Sequence, residues 1–293
     1  MKKIVIGKIF YILILLLFIN CDNEIIKDFP TAELKPYDPV KAGAEIVESH
    51  DLSSIYNYDP YIHLSISEFN ENFYILSNEK IFVLNKNTLI QEKEIYIDIK
   101  NVFFDYNINY SVYYSNPNIS IFNNKIFFSY YIVTDNKNYK IIFFDMDLSG
   151  DNLRTLDISS DLYFNNPPSI SYGVNLGYNK IKDVVWIKVN RAELYEYKFN
   201  SNVYDKVNYL YIPYFDYNIL FIDANTFWNK YTLDIESYIE KRNLTEPNTV
   251  ISTIDISYLG TYASPYDLLV DGEFLWIIIW KDDKLQLLKL KPL

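Results

Sequence analysis

Phe69-Asn70-Glu71-Asn72-Phe73-Tyr74-Ile75 decides the fold. One apolar residue leads into a turn pair, then one polar residue, then three apolar residues. Aromatic and β-branched flanks suit strands. The chain has only 7 glycines, so Asn and Asp must supply most of its turns. The stretch therefore predicts two strands joined by a tight turn. The same order recurs in Phe122-Asn123-Asn124-Lys125-Ile126-Phe127-Phe128, in Phe215-Asp216-Tyr217-Asn218-Ile219-Leu220-Phe221 and in Val270-Asp271-Gly272-Glu273-Phe274-Leu275-Trp276. A weaker copy starts near Lys180 and ends in Val184-Val185-Trp186. Pro117 and Pro265 stand at the same distance ahead of their units, which marks those two as equivalents.

Working outward, each unit is followed by a further strand-like run after a polar turn. Lys80 to Asn85, Lys140 to Asp145, Leu194 to Phe199 and Lys284 to Leu290 are these runs, and Leu89 to Ile95 and Leu153 to Ile158 add third ones. Meanders of about four strands repeated roughly every 40–50 residues are the mark of propeller blades. A small sheet that is apolar on both faces must stack between neighbours. The continuous apolar run from Phe274 to Trp280 needs such two-sided cover. The expectation is an all-β chain forming a β-propeller of five to seven blades, with a pair of β-sandwiches as the alternative. One stretch, Asp234 to Arg242, reads as a helix, because Ile235, Tyr238 and Ile239 fall at helical spacing.

The segment Ile142-Phe143-Phe144-Asp145-Met146-Asp147-Leu148-Ser149-Gly150-Asp151-Asn152-Leu153-Arg154-Thr155-Leu156 resembles the outer hairpin of a TolB-type, WD40-like propeller blade. That resemblance implies a scaffold for binding and carries over no catalytic residue. The Asp145–Asp151 portion also has the alternating acids and sixth-position glycine of a calcium loop. Its twelfth position is Leu156 rather than a bidentate Glu, so a plain turn is expected.

The N-terminus reads separately. Lys2, Lys3 and Lys8 precede an uncharged run from Ile9 to Ile19. The run has the length of a secretory signal's apolar region and falls short of the about 20 residues that a bilayer-spanning helix needs. Cys21 is the only cysteine in the chain and follows at once. Leu17-Phe18-Ile19-Asn20-Cys21 resembles a bacterial lipobox of the relaxed kind found in spirochaete lipoproteins. The resemblance implies a diacylglyceryl group on Cys21, cleavage before it and acylation of the new N-terminus. Several acyl chains hold a membrane stably where one does not. The expected organisation is a signal peptide over 1–20, a lipidated tether over 21–55 broken by Pro30, Pro36 and Pro39, and a propeller-like domain over 56–293. Ala42 to Val47 could instead be a strand that completes the last sheet.

The formal net charge is −11, and removal of residues 1–20 with their three lysines takes the mature chain to −14. So acidic a chain argues against nucleic-acid binding. His50 and His63 are too few for a zinc site. There is no Gly-x-Ser-x-Gly elbow and no glycine-rich phosphate loop. Asp267/Asp271 and Asp282/Asp283 are paired acids, and Asp271 and Asp282-Asp283 read as turn residues. The sequence thus calls for no cofactor, metal or catalytic residue, and its one assigned site is lipidation at Cys21. The expectation is an exported protein held by lipid to a bacterial membrane, at the outer membrane or cell surface rather than the inner membrane. Its role would be to bind or scaffold an envelope protein or glycan. A propeller hydrolase or lyase acting on a glycan or peptide, and a structural envelope protein, are the alternatives.

Overall fold

The structure is a computed structural model that describes residues 41–53, 64–77, 79–98, 115–133, 139–157, 175–179, 184–189, 193–200, 203–211, 218–223, 225–233, 236–244, 246, 249–259, 267–281 and 283–293. The expected signal, Cys21, Pro30, Pro36 and Pro39 of the expected tether, and His63 lie outside them. The described strands are β1 (Lys41–Ala42), β2 (Ala44–Asp51), β3 (Leu64–Phe69), β4 (Asn72–Ser77), β5 (Lys80–Asn85), β6 (Gln91–Tyr96), β7 (Ser115–Phe122), β8 (Lys125–Val133), β9 (Tyr139–Asp147) and β10 (Arg154–Asp157). They continue as β11 (Asn175–Asn179), β12 (Val184–Val189), β13 (Glu193–Asn200), β14 (Val203–Tyr211), β15 (Asn218–Asp223), β16 (Thr226–Leu233), β17 (Glu236–Asn243), β18 (Val250–Asp255), β19 (Asp267–Asp271), β20 (Phe274–Lys281) and β21 (Lys284–Pro292).

These strands form five small sheets. Blades 1, 2 and 3 are the meanders β3-β4-β5-β6, β7-β8-β9-β10 and β11-β12-β13-β14. Blade 4 is β15-β16-β17-β18 with β1 added to its edge, and blade 5 is β19-β20-β21 completed by β2. The first strands of successive blades lie side by side in the order β3, β7, β11, β15, β19, and β19 returns to β3. That closed circuit makes the architecture a β-propeller. Closure is also a matter of chain order. The early strand β2 pairs antiparallel with the last strand β21, while β1 pairs parallel with β18. The strand reading of Ala42 to Val47 is therefore the one the fold uses, within the stretch expected as a tether.

The repeat units fall on the hairpins that join the first and second strands of each blade. Phe69 pairs with Asn72 and Phe122 with Lys125. Their turn residues Asn70, Glu71, Asn123 and Asn124 all have φ between 49° and 63°, the paired positive angles that two-residue hairpins require. In blade 5 the turn is Gly272-Glu273, one residue later than the sequence repeat suggests, because Asp271 pairs with Phe274. The unit at Phe215 is more seriously displaced. Asn218–Asp223 is itself the first strand of blade 4, and the hairpin closes where Asp223 pairs with Thr226.

The helix expected over Asp234 to Arg242 is absent. Glu236–Asn243 is a strand, paired along its length with β16 and in part with β18. Ser237, Tyr238, Ile239 and Glu240 are all buried, so neighbours cover both faces and no single-face period survives to be read.

The core lies between blades. Tyr74, Leu76, Ile81 and Val83 of blade 1 pack on Ile126, Phe128, Ile142 and Phe144 of blade 2. Phe73, Ile75, Phe82 and Leu84, on the other face of blade 1, meet Trp276, Ile278 and Leu287 of blade 5. Trp228, Ile239 and Ile254 of blade 4 meet Leu275, Ile277 and Leu288 of blade 5. Blades 1 and 5 are thus apolar on front and back, and the alternation of strand residues delivers successive side chains to opposite seams.

Candidate functional site

The most unusual group in the described core is Asp267, the first residue of β19. It is almost wholly buried on the strand that closes the ring. Its Oδ2 accepts the Ser65 hydroxyl at 2.7 Å and the Ile66 N–H at 2.8 Å, both from β3 of blade 1. Its Oδ1 accepts the Leu268 N–H at 2.8 Å. Ser65 Oγ in turn accepts the Ile119 N–H of β7 at 3.0 Å. One chain of hydrogen bonds therefore ties the innermost strands of blades 5, 1 and 2 together. Burial pushes the Asp267 carboxyl up to about 7, against hydrogen bonds from Ser65, Ile66 and Leu268 that favour its charge.

Nearer the hairpin turns, the same 5/1 seam carries a second, charged tie. Lys86 follows β5, and its ammonium lies 2.7 Å from Glu68 of blade 1 and 2.7 Å from Asp271 of blade 5. Burial pulls this lysine down, but its bonds to Asp271 and Glu68 outweigh that and leave it above the ordinary range. Burial likewise raises Asp271, and Lys86 and the Trp276 indole N–H more than offset it. Next along blade 5, Lys289 bonds Glu48 at 2.8 Å and stands over the Phe274 and Trp276 rings. His50 Nε2 is 3.3 Å from Glu48 on the outermost strand β2.

The paired acids of the sequence thus separate by role. Asp267 is a buried knot, and Asp271 is a turn-proximal partner for Lys86. Asp283 has φ 59° in the β20–β21 turn, as the turn reading expects. Ser65 bonds Asp267 directly, with no imidazole between them, so the pair lacks the base of a Ser-His-Asp arrangement. Asp145, the first acid of the calcium-loop-like stretch, is taken up by basic side chains of its own blade. It is fully buried and takes Arg154 through both oxygens, at 2.8 and 2.6 Å, with Lys125 at 3.2 Å. The Asp147–Asp151 turn closes through its own backbone, with Gly150 N–H donating to the Asp147 carbonyl. It links β9 to β10 at the outer edge of blade 2, where the expected outer hairpin belongs. Among the described residues no group of three or more His, Cys, Asp and Glu side chains is placed to hold a metal. No described helix is long and apolar enough to cross a membrane.

No protein-family model matches the chain, and no curated protein matches it in sequence. Solved structures do resemble it. The glutaminyl cyclase of Myxococcus xanthus superposes with a TM-score of 0.53 at 10% identity, over 87% of this chain and 100% of that one. The PQQ-bound aldose sugar dehydrogenase of Streptomyces coelicolor gives 0.51 at 9% identity, over 87% and 99%. The GH43 endo-arabinanase of Bacillus licheniformis gives 0.50 at 14% identity, over 80% and 94%. These are propeller proteins with unlike activities, so the likeness is one of fold and selects no chemistry.

Proposed function

We propose that this chain is an exported lipoprotein, moored to a bacterial membrane through Cys21, whose propeller binds or scaffolds an envelope protein or glycan. The observation that carries the binding reading is the state of Asp267. A catalytic carboxyl must come within hydrogen-bond reach of its substrate. Asp267 instead accepts from Ser65, Ile66 and Leu268, all within the fold, and is closed to solvent. The anchor reading rests on the charged start, the short apolar run and the placing of Cys21.

A propeller hydrolase or lyase is the second reading. It is favoured by one fact, a carboxyl held at about 7 on an innermost strand, the kind of shift that acid–base catalysts show. The readings part in one experiment. The lipidated protein is incubated with isolated envelopes and cell-wall glycan from the producing bacterium, and both retention and soluble products are measured. Saturable retention without product release supports the binding module. Product release that disappears in Asp267→Asn supports the enzyme. Incorporation of a tagged fatty acid into the native chain and its loss in Cys21→Ser tests the anchor.

A further inference from the structure

The five blades permit a position-by-position comparison. Asn72, Lys125, Val184, Thr226 and Phe274 close the five inner hairpins. Three residues further on, four blades place Ile75, Phe128, Ile187 and Ile277 in the core, and blade 4 places Asn229. Its neighbours on the next strand depart in the same way. The first four residues face Phe82, Phe144, Tyr195 and Leu288, while Asn229 faces Glu240. Arg242 likewise takes the place held by Leu84, Met146, Tyr197 and Leu290. Trp228 and Ile239 belong to the core shared with blade 5. Strand alternation therefore turns Asn229, Glu240 and Arg242 the other way, onto the seam with blade 3.

Asn229 is 0% exposed, and neither its Nδ2 nor its Oδ1 has a hydrogen-bond partner. About nine in ten buried polar groups in native proteins have one. Glu240 is 1% exposed, and Arg242 bonds its Oε2 through both Nε (2.9 Å) and Nη2 (2.7 Å), which leaves Oε1 for another donor. We propose that Asn229 and Glu240 form a buried binding site for a water-sized neutral guest between blades 3 and 4. The guest must both donate and accept, because the amide offers one group of each kind. An uncharged guest suits the Asn229 amide, which is itself neutral. It is small because neither residue reaches the surface. Asn is also less bulky than the Ile or Phe of the other blades, a difference on the scale of the about 30 Å³ that one water occupies. Water meets all these conditions, and it hydrates the position that Ile75, Phe128 and Ile277 keep apolar in the 5/1, 1/2 and 4/5 seams.

Two measurements test the site. A high-resolution crystal structure of the mature chain should show density within about 2.7–3.2 Å of the Asn229 amide and Glu240; a dry amide overturns the proposal. Asn229→Ile restores the residue of the other blades. If a bound water bridges Asn229 and Glu240, that change strands Glu240 and lowers the melting temperature by about 3–8 °C. Converting the column together, as N229I/E240L/R242L, should recover the loss, since apolar replacements of buried ion pairs are tolerated. A rise in melting temperature for N229I alone overturns the proposal, because it would mean the buried amide had no partner to lose.

Discussion

Replacing Asp267 with Asn tests what burial does to the carboxyl at the ring's closure. The folded protein holds Asp267 at about 7, and the ordinary value is 3.8. Below pH 4 the group is protonated both folded and unfolded, and its ionisation contributes nothing. Between 4 and 7 the unfolded chain releases the proton while the folded one keeps it, so stability falls as pH rises through this window. Above 7 both states are ionised and the loss is complete. At about 1.4 kcal/mol for each pH unit, a window about three units wide corresponds to about 4 kcal/mol. Asparagine does not titrate. Its own cost, an amide facing the Ile66 and Leu268 N–H groups, is the same at every pH and drops out of the comparison. Urea unfolding of both proteins from pH 4 to 8 is the assay, followed by the fluorescence of Trp186 and Trp276, which are fully buried. Wild type should lose about 4 kcal/mol relative to Asp267→Asn across that range. A flat difference would mean that the three donors cancel the burial. A difference running the other way would mean that they outweigh it, and the reasoning would fail.

Three further outcomes follow from the seams and turns. Gly150 has φ +95°, and a Cβ there would stand 2.5 Å from Ile95 Cγ2, so Gly150→Ala should cost about 1–3 kcal/mol in chemical denaturation and loosen the contact between blades 1 and 2. Lys86→Met keeps the apolar stem but strands Glu68 and Asp271, and should cost about 1–3 kcal/mol by the same measurement. A chain beginning at residue 53 lacks β1 and β2 and leaves β21 an open edge. It should aggregate during refolding, where a chain beginning at residue 41 stays soluble by size-exclusion chromatography.

The sequence shows the repeat because the hairpin turns are chemically constrained. Asn70 and Asn123 hold a backbone angle that few other residues tolerate, so their surroundings stand out. Blade 4 hides its turn for the same reason. Asp223 and Thr226 flank a pair without the Asn-Asn or Asp-Gly form, and the Asn- and Asp-bearing stretch at 215–218 carries the stronger turn signal. The strand Glu236–Asn243 mimics a helix in sequence because burial on two faces leaves helical and strand periods indistinguishable over eight residues. In the sequence Asp267 stands out only as half of a coincidental acid pair. Its distinction comes from Ser65 and Ile119, which lie far away in the chain and reach it only when the ring closes.

Closure also explains where the fold places its polar groups. A ring of stacked sheets has no end at which a misfit can be absorbed, so the seam joining last blade to first must be specified more tightly than the others. Hydrophobic packing is nondirectional and fixes the spacing of blades 5 and 1 without fixing their sliding. Directed bonds supply that register: Asp267 to Ser65 and Ile66 at the start of the strands, and Lys86 between Glu68 and Asp271 towards the hairpin turns. Strand β2 then holds the outer edge through its ladder to β21. The seam between blades 1 and 2 joins consecutive parts of the chain, and beside the Ser65–Ile119 bond its described core is built of apolar contacts. The seam between blades 3 and 4 also joins consecutive parts, yet it buries Asn229 and Glu240, with Arg242 part-buried beside them. Connectivity already holds those blades in register, so register does not account for this polarity, and a site for a bound guest does.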